Sequence, residues 1–263
     1  GVTEGPPLLD MLCRGATHYM KIYVPSRYVK WELEKAGIRV EDVIPHGVDV
    51  EAISRTPKDN MWRKMFGDRI IVLYVAHRHV RKGFAELIEA WRMTKASRDD
   101  NILLVLHTQT EPNRACGEGW VDFSGNVVVT EQILKLDKMG LYQLYRAADI
   151  YIHPALCEGF GIPIVEAMAA GLPVICIDAP PMNEHVDTRD CLVRVEKQKI
   201  YVDRGVAAFR MNCPDLRDMA EKIDWLIYSG EEVWHDIGMH NMERAWKLYP
   251  LSVYQRFEKI VNG

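Results

Sequence analysis

The sequence predicts an α/β fold, a doubly wound parallel sheet followed by C-terminal helices, and three observations carry that prediction. Short apolar runs of strand length recur over 70–76, 102–107, 127–130, 150–153 and 174–177. Segments of helical length alternate with them, the pattern of βα units whose sheet is covered on both faces. Glycine and proline punctuate the alternation, at Gly37, Pro45, Gly47, Gly171 and Pro173.

Each element follows from local signals. A strand over 19–24 leads to Ser26, an N-cap for a helix over 27–36 that Gly37 ends. A short strand at 43–44 runs into the turn Pro45-His46-Gly47, and 60–66 reads as a short helix. Strand 70–76 meets a basic loop and then a helix over 84–95. Strand 102–107 meets a long polar loop holding Gly117 and Gly119. Strand 127–130 precedes a helix capped by Asp137 and running to Ala148. Strand 150–153 meets a glycine-containing loop over 158–161, then a helix to Ala170 that Gly171 and Pro173 stop before strand 174–177. From Pro214 the chain reads as three helices interrupted near Gly230 and Pro250, with Trp225, Trp234 and Trp246 assigned to their core.

The totals narrow the function classes. A chain of 263 residues fits one large α/β domain or two small ones. A hydrophobic content of 48% with 27% charged residues is ordinary for a soluble globular protein. The net charge of −4 argues against a broad basic face, so no nucleic-acid partner is expected. The first ten residues are Pro/Gly-rich and acidic, unlike a signal peptide, and the longest apolar runs are too short to span a bilayer. A cytoplasmic location is therefore expected, with peripheral membrane contact left open. The six cysteines include no Cys-x-x-Cys pair, and Cys157 and Cys176 read as small core residues rather than zinc ligands.

In doubly wound sheets ligands bind at the carboxyl ends of the strands, so the βα loops are where chemistry belongs. The densest signal is Glu158-Gly-Phe-Gly-Ile-Pro-Ile-Val-Glu166. Gly159 and Gly161 let backbone approach a ligand closely. Pro163 suits a first helical turn, where a missing N–H costs nothing. The amides of that turn, near Ile164 and Val165, make a positive end fit for a phosphate. Glu158 before the turn and Glu166 about one helical turn inside it can face one cleft and accept hydrogen bonds from sugar or ribose hydroxyls. The third glycine of a dinucleotide fingerprint is missing, which disfavours a dehydrogenase.

This pattern resembles the Glu-x7-Glu motif of the retaining family 4 glycosyltransferases, carried on the second Rossmann-like domain of the GT-B fold. Val24-Pro-Ser26, Val43-Ile-Pro-His-Gly-Val-Asp49, Arg81-Lys-Gly83, Ala148-Asp-Ile-Tyr-Ile-His-Pro154 and Pro173-Val-Ile resemble further landmarks in family order. The resemblance implies a donor-binding domain in which Glu166 holds ribose hydroxyls and Glu158 contacts the donor sugar. Gly159, Phe160 and Gly161 would line the sugar pocket, and Leu136 falls where the family seats the base, with core packing its competing role. Glu184 matches a family glutamate, although Pro180-Pro181 stands where the family carries glycines.

The loop His77-Arg-His-Val-Arg-Lys-Gly83 falls where the family places an arginine and a lysine on the donor diphosphate. Lys82 matches the lysine, Arg78 is the candidate arginine, and Arg81 competes with it. Fixed cations there would stabilise the charge that grows on a departing diphosphate. No cofactor and no metal are expected, because His77 and His79 have no third ligand nearby and no Asp-x-Asp occurs in the chain. His153 reads as a buried strand-end histidine.

The resemblance implies the following organisation: residues 1–48 as a remnant of an acceptor-side domain, 49–250 as the nucleotide-sugar-binding domain, and 251–263 as a helix crossing back. Its implied activity is hexosyl transfer with retention from a UDP-, GDP- or ADP-linked sugar to an unknown acceptor. With little of the acceptor half in the sequence, the competing readings are a non-catalytic binding module, a half-enzyme completed by a homodimer or partner domain, and a GT-B-fold epimerase.

Overall fold

The computed structural model describes residues 21–77, 79–108, 126–130, 136–203 and 207–262. It opens on a small parallel βαβ unit: β1 (Tyr23–Val24), α1 (Arg27–Lys35) and β2 (Asp42–Val43). Ser26 caps α1, its hydroxyl accepting the Val29 amide, as its position predicts. Val24, Val29, Leu33, Ile38 and Val40 form a small apolar cluster of their own.

Short helices α2 (Val50–Arg55) and α3 (Met61–Phe66) lead into the main sheet. Its strands are β3 (Ile70–Val75), β4 (Ile102–His107), β5 (Val127–Val129), β6 (Ile150–His153), β7 (Val174–Ile177) and β8 (Leu192–Val193). All pair in parallel, in the order β5-β4-β3-β6-β7-β8. One half of the sheet runs outward from β3 and the other from β6, so the doubly wound fold is as predicted and its switch point lies between those two strands. Burial explains the unbroken apolar runs: Ile71, Val72, Leu73 and Tyr74 are all inaccessible to solvent.

The connecting helices are α4 (Phe84–Met93), α5 (Lys138–Ala147), α6 (Ile162–Ala169) and α7 (Met182–His185). Beyond β8 come the antiparallel pair β9 (Val195–Asp203) and β10 (Ala207–Pro214), then α8 (Leu216–Tyr228), α9 (Glu231–Leu248) and α10 (Gln255–Asn262). One helical group joins α4 to α8, and the other gathers α6 with α9 and α2. Gly238 is required where α9 meets the main domain, because a Cβ there would fall 2.1 Å from the Gly171 carbonyl oxygen.

The last described helix lies beside the first described elements. Val48 N–H donates to Tyr249 O at 2.8 Å, the Tyr23 and Phe257 rings meet edge to face at 6.0 Å, and Arg256 donates to Val43 O at 3.1 Å. The last helix thus returns to the β1–α1–β2 unit.

Two expectations are corrected. The β9–β10 hairpin is absent from the sequence reading, because Glu196, Lys197, Gln198 and Lys199 give β9 none of the apolar alternation of a half-buried strand. Trp225 and Trp246 are 40% and 45% exposed rather than core; on α8 the inward face is Met219, Ile223, Leu226 and Ile227 at helical spacing, which turns residue 225 outward. Trp234 does pack against the core, with Nε1 donating to Leu226 O at 2.5 Å. Leu136 packs half-buried against the core, the competing role weighed for it. Cys157, Cys176, Cys191 and Cys213 are buried. The Gly117 and Gly119 loop and residues 131–135 lie outside the described residues.

Candidate functional site

Two loops meet at the switch point. After β3, His79 caps a 3₁₀ turn, Val80–Lys82, by accepting the Arg81 amide on its side chain, and Gly83 follows with φ 68°. A Cβ on Gly83 would fall 1.9 Å from the Pro154 carbonyl oxygen, so only glycine allows this loop to press against the loop after β6. Leu156 N–H donates to Arg81 O at 2.8 Å and stitches the two loops through their backbones.

The acids and cations of both loops converge. Glu158 is only 3% exposed, which rules out a solvated loop acid. Its carboxylate lies 2.5 Å from Lys82 Nζ, 3.1 Å from Arg81 Nη1 and 3.2 Å from His153 Nε2. Burial alone would raise its pKa, but the His153 hydrogen bond and the charges of Lys82 and Arg81 outweigh it and hold the carboxyl at about 2. An ionised carboxylate only accepts, so His153 carries a proton on Nε2, while its Nδ1 lies 3.2 Å from the Tyr151 hydroxyl. Burial lowers the His153 pKa and keeps the ring neutral. The strand-end histidine is therefore a buried partner of Glu158, a contact that motif spacing does not reveal.

Glu166 has the opposite electrostatics. It takes one hydrogen bond from Tyr145 Oη at 3.1 Å. Desolvation dominates, against that bond and the charge of Lys138, and lifts the carboxyl to about 7.

Lys82, Arg81, Glu158 and Glu166 line one cleft of about 410 Å³, together with Phe160 and Gly161. That is the size of a small-molecule site, roughly 300–1,000 Å³. Gly161, φ 96°, begins α6, and no side chain caps that helix. The first-turn amides are not as free as the sequence reading has them: Ile164 N–H donates to Gly161 O at 3.0 Å, and the Ile164 and Val165 side chains are fully buried. Gly159 is held from the other side, its carbonyl accepting Ser26 Oγ at 2.8 Å. Phe160 is clamped by His185, whose Nε2 donates to the Phe160 carbonyl at 2.6 Å and whose ring meets its edge at 4.6 Å.

Other expectations fall elsewhere. Arg78 lies outside the described residues, whereas its competitor Arg81 sits in the cleft. Leu141, not Leu136, lines it. Glu184 caps α1 across the chain, accepting the amides of Arg27 at 3.1 Å and Tyr28 at 2.8 Å. His46, from the 43–49 landmark, and His107, which no motif flags, line the cleft too. Among the described residues no cluster of His, Cys, Asp or Glu could hold a metal ion, and no helix is long and apolar enough to cross a membrane.

A doubly wound domain of this topology, with C-terminal helices, has the architecture of the C-terminal domain of a GT-B fold. The model of the family described as glycosyl transferases group 1 matches residues 59–232, and the chain belongs to that family. The phosphatidyl-myo-inositol mannosyltransferase of Mycobacterium leprae (strain TN) is 28% identical over 208 residues, 72% of this chain and 52% of that protein. The enzyme of the same name from Mycolicibacterium smegmatis is 30% identical over 159 residues, 60% of this chain and 39% of its own. This chain spans about half the length of the first of these. Anabaena Alr3699/HepE, solved in complex with UDP and glucose, superposes with a TM-score of 0.73 at 18% identity, over 96% of this chain and 66% of that one. The C-terminal domain of the group 1 glycosyl transferase LpcC of Francisella tularensis gives 0.57 at 21% identity, over 78% of this chain and 100% of that one.

Proposed function

We propose that the cleft binds a nucleoside-diphosphate sugar and serves retaining transfer of a hexosyl group to an acceptor held on the opposite side. Lys82 and Arg81 take the diphosphate, and Arg78, outside the described residues, is the further candidate for that role. Glu166 accepts the ribose hydroxyls, Gly159, Phe160 and Gly161 line the sugar, and Glu158 receives its hydroxyls. The carrying observation is that Lys82, Arg81, Glu158 and Glu166 surround one cavity at the switch point.

The electrostatics support an order of events. In the empty cleft Glu158 neutralises part of the charge of Lys82 and Arg81. An arriving diphosphate competes for those cations and releases carboxylate oxygens toward the sugar, while His153 keeps the carboxylate in place by its remaining hydrogen bond. The cations then stabilise the charge that grows on the departing diphosphate. Transfer without a metal ion belongs to this reading, on the ground that the sequence has no Asp-x-Asp.

A structural neighbour solved with UDP-glucose supports a nucleotide donor, and mannosyltransferase relatives support a hexose. In this reading residues 1–48 and 251–263 belong to the acceptor side, residues 49–250 form the donor domain, and the chain acts in the cytoplasm. The separate apolar cluster around β1–α1–β2 and the Arg256 contact to it support that division. A second reading is a donor-binding module that needs a partner for turnover.

Thermal shift and calorimetry with UDP-, GDP- and ADP-linked sugars test the proposal. A donor at 100 times its Kd adds about 2.7 kcal/mol of stability. Glu166→Ala is expected to weaken binding at least about tenfold, the worth of a charge-assisted bond. If none of the three donors stabilises the protein, the reading is overturned; donor hydrolysis by the purified chain separates enzyme from module.

A further inference from the structure

We infer that the β9–β10 hairpin braces the cation-bearing loop, with Tyr201 and Phe209 as positioning residues that act through His79. The inference rests on the reading that Arg81 and Lys82 hold the donor diphosphate.

The 3₁₀ turn that presents Arg81 and Lys82 is capped by an imidazole: His79 Nδ1 accepts the Arg81 N–H at 3.2 Å. Preferred N-caps are short, because a short side chain reaches the amide without further support. A histidine ring must be held in plane by its surroundings. The hairpin supplies them. Tyr201 and Phe209 are register partners across it and so share a face. Their rings meet the His79 ring edge to face at 6.4 and 6.2 Å, with interplanar angles of 88° and 70°. These lie within the roughly 4.5–7 Å range of attractive aromatic pairs. The two rings stack on each other at 6.5 Å.

Alternation fixes which face does this. Ile200 and Val202 point the other way and are 61% and 55% exposed, whereas Met211 and Cys213 continue the inner face and are buried. The base of the hairpin reaches the same loop by a second route. Asn212 N–H donates to Leu156 O at 2.8 Å, and Leu156 N–H donates to Arg81 O at 2.8 Å. The hairpin therefore touches this segment at His79 and reaches its other end, Arg81, through Leu156.

Amide hydrogen exchange on the full chain tests the brace without any ligand. In Tyr201→Ala, exchange of the Arg81 and Lys82 amides is expected to accelerate at least tenfold while the β3 amides hold their rates. Tyr201→Leu, which keeps apolar area without a ring, should behave like Tyr201→Ala, and Tyr201→Phe should restore protection. In a His79→Asn background, where a short side chain caps the turn unaided, Tyr201→Ala should no longer matter. Equal acceleration in both backgrounds, or none in the wild-type background, overturns the inference. Binding of UDP, GDP and ADP is read on the same proteins: the Kd of whichever binds should rise at least fivefold in Tyr201→Ala. A wild-type chain that binds none of the three, with exchange still accelerated by Tyr201→Ala, leaves the brace standing and removes the donor reading instead.

Discussion

Lys82 Nζ and Glu158 Oε1 lie 2.5 Å apart, bridging two loops that diverge from the switch point of the sheet. Lys82 is 13% and Glu158 3% exposed, so this is a largely desolvated pair in which each charge depends on the other. Removing one partner of such a pair costs about 3–5 kcal/mol, because the other charge is left buried. Glu158→Ala strands two cations, Lys82 and Arg81, and is expected to lower unfolding free energy in urea by about that amount. A loss below about 1 kcal/mol would mean that the pair is solvated in solution.

The same pair sets an acid limit. Glu158 at about 2 sits below its ordinary value of 4.5, so its contribution is complete above 4.5 and is lost as pH falls toward 2. Stability of the wild-type protein between those values is expected to fall more steeply than that of Glu158→Gln, with a difference on the order of 3 kcal/mol. Parallel curves would assign acid sensitivity to other carboxylates.

Glu166 titrates the other way. Its carboxyl, at about 7, is above its ordinary value, so its contribution to folding is complete below 4.5 and is lost as pH rises through about 7. Ribose hydroxyls are best received by the ionised form. Donor affinity should therefore rise between about pH 6 and pH 8, and Glu166→Gln should flatten that rise. Calorimetry at three pH values decides it; an unchanged slope in Glu166→Gln places the titrating group elsewhere.

Gly83→Ala forces a Cβ to within 1.9 Å of the Pro154 carbonyl oxygen at a left-handed φ of 68°. The strain alone costs about 1–3 kcal/mol. The two loops must also part, so donor affinity should drop along with Tm. Gly37→Ala, at φ 81° with open space around it, serves as the comparison: it carries backbone strain without the clash and should leave donor affinity unchanged.

Glu184→Ala removes the acceptor for the first amides of α1, and a lost helix cap costs about 0.5–2 kcal/mol. Donor affinity should stay within twofold of wild type. A large affinity loss would place Glu184 in the donor site, as the family pattern has it.

The legible part of this protein is the part where spacing alone dictates chemistry. Apolar runs such as 70–76 reveal strands because burial on both faces tolerates nothing else. Glu158 and Glu166 stand out because glycine, proline and a helix start lie between them. Reach across the fold is not legible. Placing Arg81 in the cleft depends on which way a 3₁₀ turn aims its side chains, and His153 and Tyr145 become partners of the two glutamates only through strand and helix packing. Glu184 matches a family glutamate by local context, but its partners, Arg27 and Tyr28, are far away in sequence. The hairpin escaped because Lys197 and Lys199 on one face and exposed Ile200 and Val202 on the other erase the usual polarity contrast.

Ser26 belongs to the small unit around β1 and α1, and the Gly159 carbonyl that it grips belongs to the glutamate loop of the large one. A hydrogen bond loses its hold when stretched by about an ångström. The bearing of the small unit and the shape of the loop are therefore not independent coordinates. Whatever draws Glu158 away from its cations also bears on Ser26, and by reciprocity any tilt of the small unit alters how readily the loop lets go.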